Sequence, residues 1–242
     1  RLMKSSYTQT ARSSWMDYVS HREKVYLEDY LIFKDFAIVS VRENGLIRLE
    51  ILDRKTKKTK QISFPDPAYV ADIETNAEFE TSVFRYGYTS LVQPRSVYDY
   101  NMATGKSVLV KQKEVPTYTS NNYKSERIWT LAKDGTKVPV SLVYKTDLFK
   151  KGQNPLFIYA YGSYGYSMDA SFNANVVSLL DRGFVYAIAH IRGGQELGRD
   201  WYEKGRLMHK KNTFTDFVDV TEGLLKEGYG KAGHVYAEGG SA

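Results

Sequence analysis

The 242 residues carry 42% hydrophobic and 26% charged side chains, close to ordinary globular usage, which excludes disordered, collagen-like and coiled-coil classes. No run approaches the roughly 18 consecutive apolar residues of a membrane helix, and the absence of cysteine removes disulfides, thiolate metal sites and cysteine nucleophiles. The net charge of +6 is concentrated at 54–60, RKTKKTK, which reads as a solvated turn between strands because no nucleic-acid motif accompanies it.

From His21 to about Lys113 the chain reads as short strands rich in Val, Ile, Phe and Tyr: 24–33, 36–42, 46–52, 79–86 and 96–101. Turn signals separate them at Asn44-Gly45, Pro65-Asp66-Pro67 and Thr104-Gly105. Sliding this segment on itself gives a repeat at an offset of 48 that matches Asp53 with Asn101, Thr56 with Thr104, Lys58 with Lys106 and Ile62 with Val110. That spacing fits one four-stranded β-propeller blade per repeat. Propellers close with 4–8 blades, so the reading places earlier blades before Arg1.

Near Tyr123 the pattern changes. Residues 125–145 contain two alternating strands joined at Asp134-Gly135, a hairpin signal. Three runs follow, 155–160, 184–190 and 234–238, each apolar enough for a parallel sheet covered on both faces. Between the first two, 171–183 reads as a helix with Ser171 as N-cap and Gly183 as its stop. Between the last two, 212–228 reads as a helix in which Thr213 and Asp216 form a capping box and Gly228 ends the run. Its Phe214, Phe217, Val218, Leu224 and Leu225 fall at core spacing. The order β-α-β-α-β argues for a parallel α/β sheet. The domains are therefore 1–118, the last blades of a propeller, and 119–242, the first half of an α/β fold.

The third strand runs into Gly239-Gly240-Ser241-Ala242, the first four positions of G-x-S-x-G. In that motif a sharp strand-to-helix turn lifts the serine Oγ above the sheet edge of an α/β-hydrolase fold; standing alone, the same four residues are a Gly-rich loop. Serine needs a base to accept its proton and an acid to orient that base, and in this fold both follow the serine in the chain. His21, His190, His209 and His234 all precede Ser241, so the partners are expected beyond Ala242. The loop 159–169, YAYGSYGYSMD, sits where the fold places half its oxyanion hole, and Tyr161 or Tyr164 fits as a hydroxyl donor. The loop 190–201, HIRGGQELGRDW, has neither a Walker pattern nor G-x-G-x-x-G, which argues against nucleotide binding. Its Arg192 fits either a buried acid or a peptide carboxylate.

The segments YGSYG (161–165), SLLDRGFVYAIAHIRGG (178–194), ELGRDWYEKG (196–205), KKNTFTDF (210–217) and GGSA (239–242) resemble, as a set, the prolyl oligopeptidase family of serine peptidases, in particular its oligopeptidase B branch. FRYGYTSLVQP (84–94) and SERIW (125–129) resemble the family's passage from propeller to hydrolase. The resemblance implies a cytoplasmic, cofactor-free and metal-free hydrolase of short peptides, in which a propeller caps an α/β-hydrolase domain. It makes Ser241 the nucleophile, the Ala242 N–H and the Tyr161 hydroxyl the oxyanion donors, Tyr164 an aromatic beside the P1 pocket, and Asp169 a carboxylate attracting basic substrates. Relatives carry a second acid two residues on, where this chain has Ser171. Cleavage after Arg or Lys is implied by the resemblance alone. No nucleic-acid or membrane partner is expected. Two other readings stay open: a propeller-based binding protein whose hydrolase half is degenerate, and an α/β-hydrolase esterase.

Overall fold

A computed structural model of the chain describes residues 1–241; Ala242, the expected backbone oxyanion donor, lies outside them. A short hairpin, β1 (Leu2–Lys4) with β2 (Met16–Val19), precedes two four-stranded antiparallel sheets. The first sheet holds β3 (Val25–Ile32), β4 (Phe36–Glu43), β5 (Leu46–Asp53) and β6 (Thr59–Gln61) in sequential order. The second holds β7 (Tyr69–Ile73), β8 (Val83–Ser90), β9 (Ser96–Asn101) and β10 (Ser107–Gln112), also in sequential order.

The 48-residue repeat is a blade repeat, and its turns show why it is visible in sequence. Asp53 Oδ1 accepts from the amides of Lys55 and Thr56 at 2.9 and 2.8 Å, and Asn101 Oδ1 accepts from Ala103 and Thr104 at 3.0 and 2.8 Å. Lys57 and Gly105, also 48 apart, both take positive φ, at 60° and 80°. A side-chain oxygen satisfying two turn amides is chemistry that Asp and Asn share. The basic run 54–60 is the first blade's outer turn and edge strand, as read. The strands at 59–61, 69–73 and 107–112 are not among the predicted ones. All three are edge strands, two of them fully exposed, and the predicted strand at 79–86 begins only at Val83. Phe33, Ile38, Leu49, Ile51, Phe84 and Tyr86 fill the space between the blades, each fully buried large side chain contributing roughly 1.5–3 kcal/mol.

The remaining strands form one five-stranded sheet in the order β11 (Tyr123–Leu131), β12 (Lys137–Lys145), β14 (Val185–Ala189), β13 (Leu156–Tyr159), β15 (Val235–Glu238). β11–β12 is the predicted hairpin, with Gly135 at φ 84° in its turn. β13 pairs in parallel with both β14 and β15. The loop after β13 therefore lies beside the turn after β15, at the carboxyl ends of the parallel strands, where open α/β sheets bind their ligands.

Helix α1 (Ala174–Leu180) starts two residues later than predicted: Asn173, not Ser171, is the N-cap, its side chain accepting from Asn175 N. Helix α2 (Arg199–Glu203) is unpredicted and lies inside the loop after β14. Helix α3 (Lys211–Glu227) ends at Gly228, φ 85°, as predicted. Its capping box is a misreading. Thr213 and Asp216 lie within the helix and face the sheet, and both bond to the loop after β14. Phe214 and Val218, assigned to the core by helical spacing, are 61% and 50% exposed. The apolar stripe is wider than the surface that α3 covers with Leu224 and Val220.

One sheet face packs against α3 through Val140, Leu142, Ile158, Val185, Ala187 and Leu224. The other packs against α1 through Val143, Ile188 and Leu180, joined by Ala68 and Leu91 of the blades. Blades and sheet are also tied by hydrogen bonds: Phe172 N donates to Thr89 Oγ1 at 3.1 Å, and Arg127 NH2 of β11 to Asn44 O at 2.7 Å.

Candidate active site

Ser241 is exposed at the end of β15 and takes φ 71°. Positive φ is uncommon for a non-glycine residue, and it is the conformation that the serine of a strand-to-helix elbow takes. The cleft in front of it, about 390 Å³, is walled by Tyr161 from the loop after β13, Ile191 from the loop after β14, Thr213, Phe214 and Phe217 from α3, and Gly239 and Gly240. The structure thus brings Tyr161 and Ser241 to one cleft. None of the four histidines lines it, and among the described residues no group of acids and histidines is arranged to hold a metal ion. Phe214 is a cleft residue missed by sequence reasoning, because helical spacing cannot distinguish a core residue from one facing a cleft beside the core.

The loop carrying Tyr161 is braced by close backbone approach. Gly162 has φ 70°, and a Cβ there would lie 2.6 Å from Thr213 Cγ2 and 2.7 Å from Ile191 Cγ1. A Cβ on Gly193 would collide with the Gly162 carbonyl oxygen, and one on Gly205 with Gly193 N. Gly165 N donates to Gly193 O at 3.0 Å. Lys210 Nζ, whose pKa burial lowers, donates to Gly162 O at 2.9 Å and also contacts Ser163 Oγ. These contacts need glycines at 162, 193 and 205, and they explain the Tyr-Gly and Arg-Gly-Gly patterns of the two loops.

Of the two readings of Arg192, the structure shows the buried acid. Nε and NH2 donate to Asp216 at 2.9 and 2.6 Å, the Arg192 amide donates to the same carboxylate at 2.9 Å, and NH1 meets Asp134 at 2.7 Å. Thr213 Oγ1 donates to the carbonyl of Arg192 at 2.8 Å and lies 3.1 Å from that of Gly205. The Thr-x-x-Asp spacing thus fixes the loop after β14 onto α3. Tyr164 is 76% exposed with φ 55° and is not part of the Ser241 cleft wall. Asp169 is held by Arg42 of β4, with NH1 to Oδ1 at 2.7 Å and NH2 to Oδ2 at 3.2 Å.

Behind this loop lies a buried polar cluster that the sequence did not reveal. His190 Nε2 shares a hydrogen bond of 2.8 Å with Ser141 Oγ, and its Nδ1 lies 3.9 Å from Glu196 Oε1, which accepts from Met168 N at 2.9 Å. Burial pushes the Glu196 carboxyl up to about 7. Burial, then the charges of Arg127 and Arg42, hold His190 well below its ordinary value. The pair is therefore a neutral acid beside a neutral imidazole in weakly acidic solution, and its burial against Ser141 keeps it away from any substrate.

Comparison with known proteins places this geometry. The model of the prolyl oligopeptidase N-terminal beta-propeller domain matches residues 1–113, and that of the prolyl oligopeptidase family matches 170–242. The chain belongs to the prolyl oligopeptidase family. It is similar to a dipeptidyl aminopeptidase BI of Pseudoxanthomonas mexicana (47% identity over 96% of this chain and 32% of that protein). It is also similar to a protease 2 of Moraxella lacunata, at 33% identity over 95% of this chain and 33% of that protein. Among solved structures, oligopeptidase B from Trypanosoma brucei with covalently bound antipain, in its closed form, matches with a TM-score of 0.84 and 35% identity over 94% of this chain and 34% of that one. The chain thus spans about a third of the length of these relatives. The fold is that of propeller blades followed by an α/β-hydrolase sheet.

Proposed function

We propose that the whole protein is a serine peptidase of short peptides in which Ser241 attacks the scissile carbonyl. The observation that carries this reading is the positive φ of Ser241 at the end of a parallel strand, in a cleft shared with Tyr161. A carbonyl carbon bonded to Ser241 Oγ becomes tetrahedral, and the charge moves to its oxygen. The Tyr161 hydroxyl and the Ala242 N–H are assigned to that oxygen, with the base and its acid supplied by residues after the serine. Tyr164 is assigned to the aromatic flank of the P1 pocket, Asp169 to the attraction of a cationic group on the substrate, and cleavage to positions after Arg or Lys. Ser241→Ala is expected to abolish labelling by a fluorophosphonate, and retained labelling removes the assignment. Tyr161→Phe is expected to lower kcat by roughly 10²–10³ if its hydroxyl binds the oxyanion; an unchanged kcat assigns the ring to packing.

The 47% identity to a dipeptidyl aminopeptidase favours a second reading of the same chemistry, release of dipeptides from a free amino terminus. Comparing Ala-Arg amide substrates with free and blocked amino groups separates the two: the aminopeptidase reading requires the free amine, and the oligopeptidase reading tolerates the block.

A further inference from the structure

We infer that Arg42 of the first complete blade is a specificity-determining residue: its guanidinium occupies the Asp169 carboxylate and so sets how strongly a substrate cation is held there. The inference rests on the reading of Asp169 as a substrate-facing acid, and the geometry carries it further.

Arg42 is buried, its side chain 5% exposed, whereas those of Asp169 and Glu28 are 33% and 30% exposed. Its Nε meets Glu28 Oε1 at 2.6 Å and its other two nitrogens grip Asp169. A guanidinium fork on a carboxylate is the arrangement that an arginine substrate side chain would itself adopt. The two acids open onto a cleft of about 280 Å³ between blade and sheet, also walled by Tyr26, Tyr166 and Gln195. Tyr26 and Tyr166 are exposed aromatic rings, which favour a cation over their faces. Tyr166 packs edge-on against Tyr161 at 6.1 Å between centroids, so this cleft adjoins the Ser241 cleft through one ring contact.

The charges decide the sign. Arg42 is paired with both Glu28 and Asp169, and the charge of Arg127 also acts on Asp169. Glu196, largely neutral below about pH 7, adds little. With Arg42 in place an arriving cation meets an already neutralised acid. Without it, one carboxylate charge is uncompensated at the cleft wall, and attraction to a cation rises. The shared chemistry is a cationic group one residue before the P1 Arg, either a side-chain guanidinium or the α-ammonium of a free amino terminus.

The test uses the whole protein and three Arg amides: blocked Ala-Arg, blocked Arg-Arg and free-amino Ala-Arg. Arg42→Met is expected to raise kcat/KM for one of the cation-bearing substrates, relative to blocked Ala-Arg, by roughly three- to tenfold, mostly through KM. The substrate that responds identifies the cation. Asp169→Asn is expected to lower the same ratio and to cancel the gain in the double variant. Arg42→Lys, which keeps the charge but not the fork, is expected to give a smaller gain and serves if the Met variant does not fold. If Asp169→Asn lowers the ratio while neither Arg42 variant raises it, Arg42 only positions Asp169, and the inference is overturned with the Asp169 reading intact. If Asp169→Asn changes nothing, the Asp169 reading fails and the inference with it.

Discussion

Glu196→Gln isolates the buried acid behind the site, and its effect can be worked out with sign. In the folded protein Glu196 keeps its proton to about pH 7, whereas an unfolded glutamate releases it near 4.5. Between those values the native state binds more protons than the unfolded one, so this group's contribution to stability falls as pH rises. At about 1.4 kcal/mol per pH unit, the whole window amounts to about 3 kcal/mol. His190 works the other way, because it stays neutral when folded while an unfolded histidine takes up a proton below about 6.5, so stability falls as pH falls. In the wild type the two slopes therefore oppose each other below about pH 6.5. Glu196→Gln removes only the first, and every other titrating group cancels in the difference between the two proteins. The stability of Glu196→Gln minus that of the wild type is therefore expected to rise by about 3 kcal/mol from pH 4.5 to 7.5. Urea unfolding at a series of pH values measures it, read by tryptophan fluorescence, since buried Trp201 donates its Nε1–H to His190 O at 3.2 Å. A level difference would refute the account. A difference that falls with pH would refute it equally.

Asp216→Asn leaves the buried Arg192 guanidinium with only the half-exposed Asp134 as an ionic partner. It is expected to cost about 3–5 kcal/mol by denaturant unfolding, with much of the loss recovered in the Arg192→Met/Asp216→Leu pair. Gly193→Ala pushes a methyl group into the Gly162 carbonyl and is expected to slow fluorophosphonate labelling of Ser241 by roughly tenfold or more through displacement of the adjoining loop. Gly135→Ala, in open space at φ 84°, serves as the control that strains a turn without moving that loop, and its labelling rate is expected to match the wild type.

What the sequence made legible was local. The blade repeat shows because Asp53 and Asn101 do the same turn chemistry 48 residues apart, and the Gly-Gly-Ser-Ala signal shows because its residues are contiguous. Thr213 and Asp216 were misread because a capping box and a pair of inward-facing helix residues share one spacing. Only the position of the loop after β14 distinguishes them. Arg42 meets Asp169 across 127 residues, and Glu196 lies under a loop whose burial no composition reports. Residues whose role depends on a distant partner carry no mark in their own neighbourhood.

That division bears on how the candidate site is built. The loop from Tyr161 to Asp169 is fixed at three places by three different parts of the chain. Lys210, beside α3, holds it at Gly162, the Gly193 carbonyl holds it at Gly165, and Arg42 of the first blade holds it at Asp169. The first two anchors come from the loop after β14 and the α3 region and set where the Tyr161 hydroxyl stands relative to Ser241. The third belongs to the propeller, and beyond it Thr89 of the second blade accepts from Phe172 N. A shift of the blades against the sheet therefore acts on the Asp169 end of the loop before the Tyr161 end. Perturbing the blade contacts is accordingly expected to act on substrate binding at the Asp169 cleft, and perturbing the glycine contacts on the chemical step at Ser241.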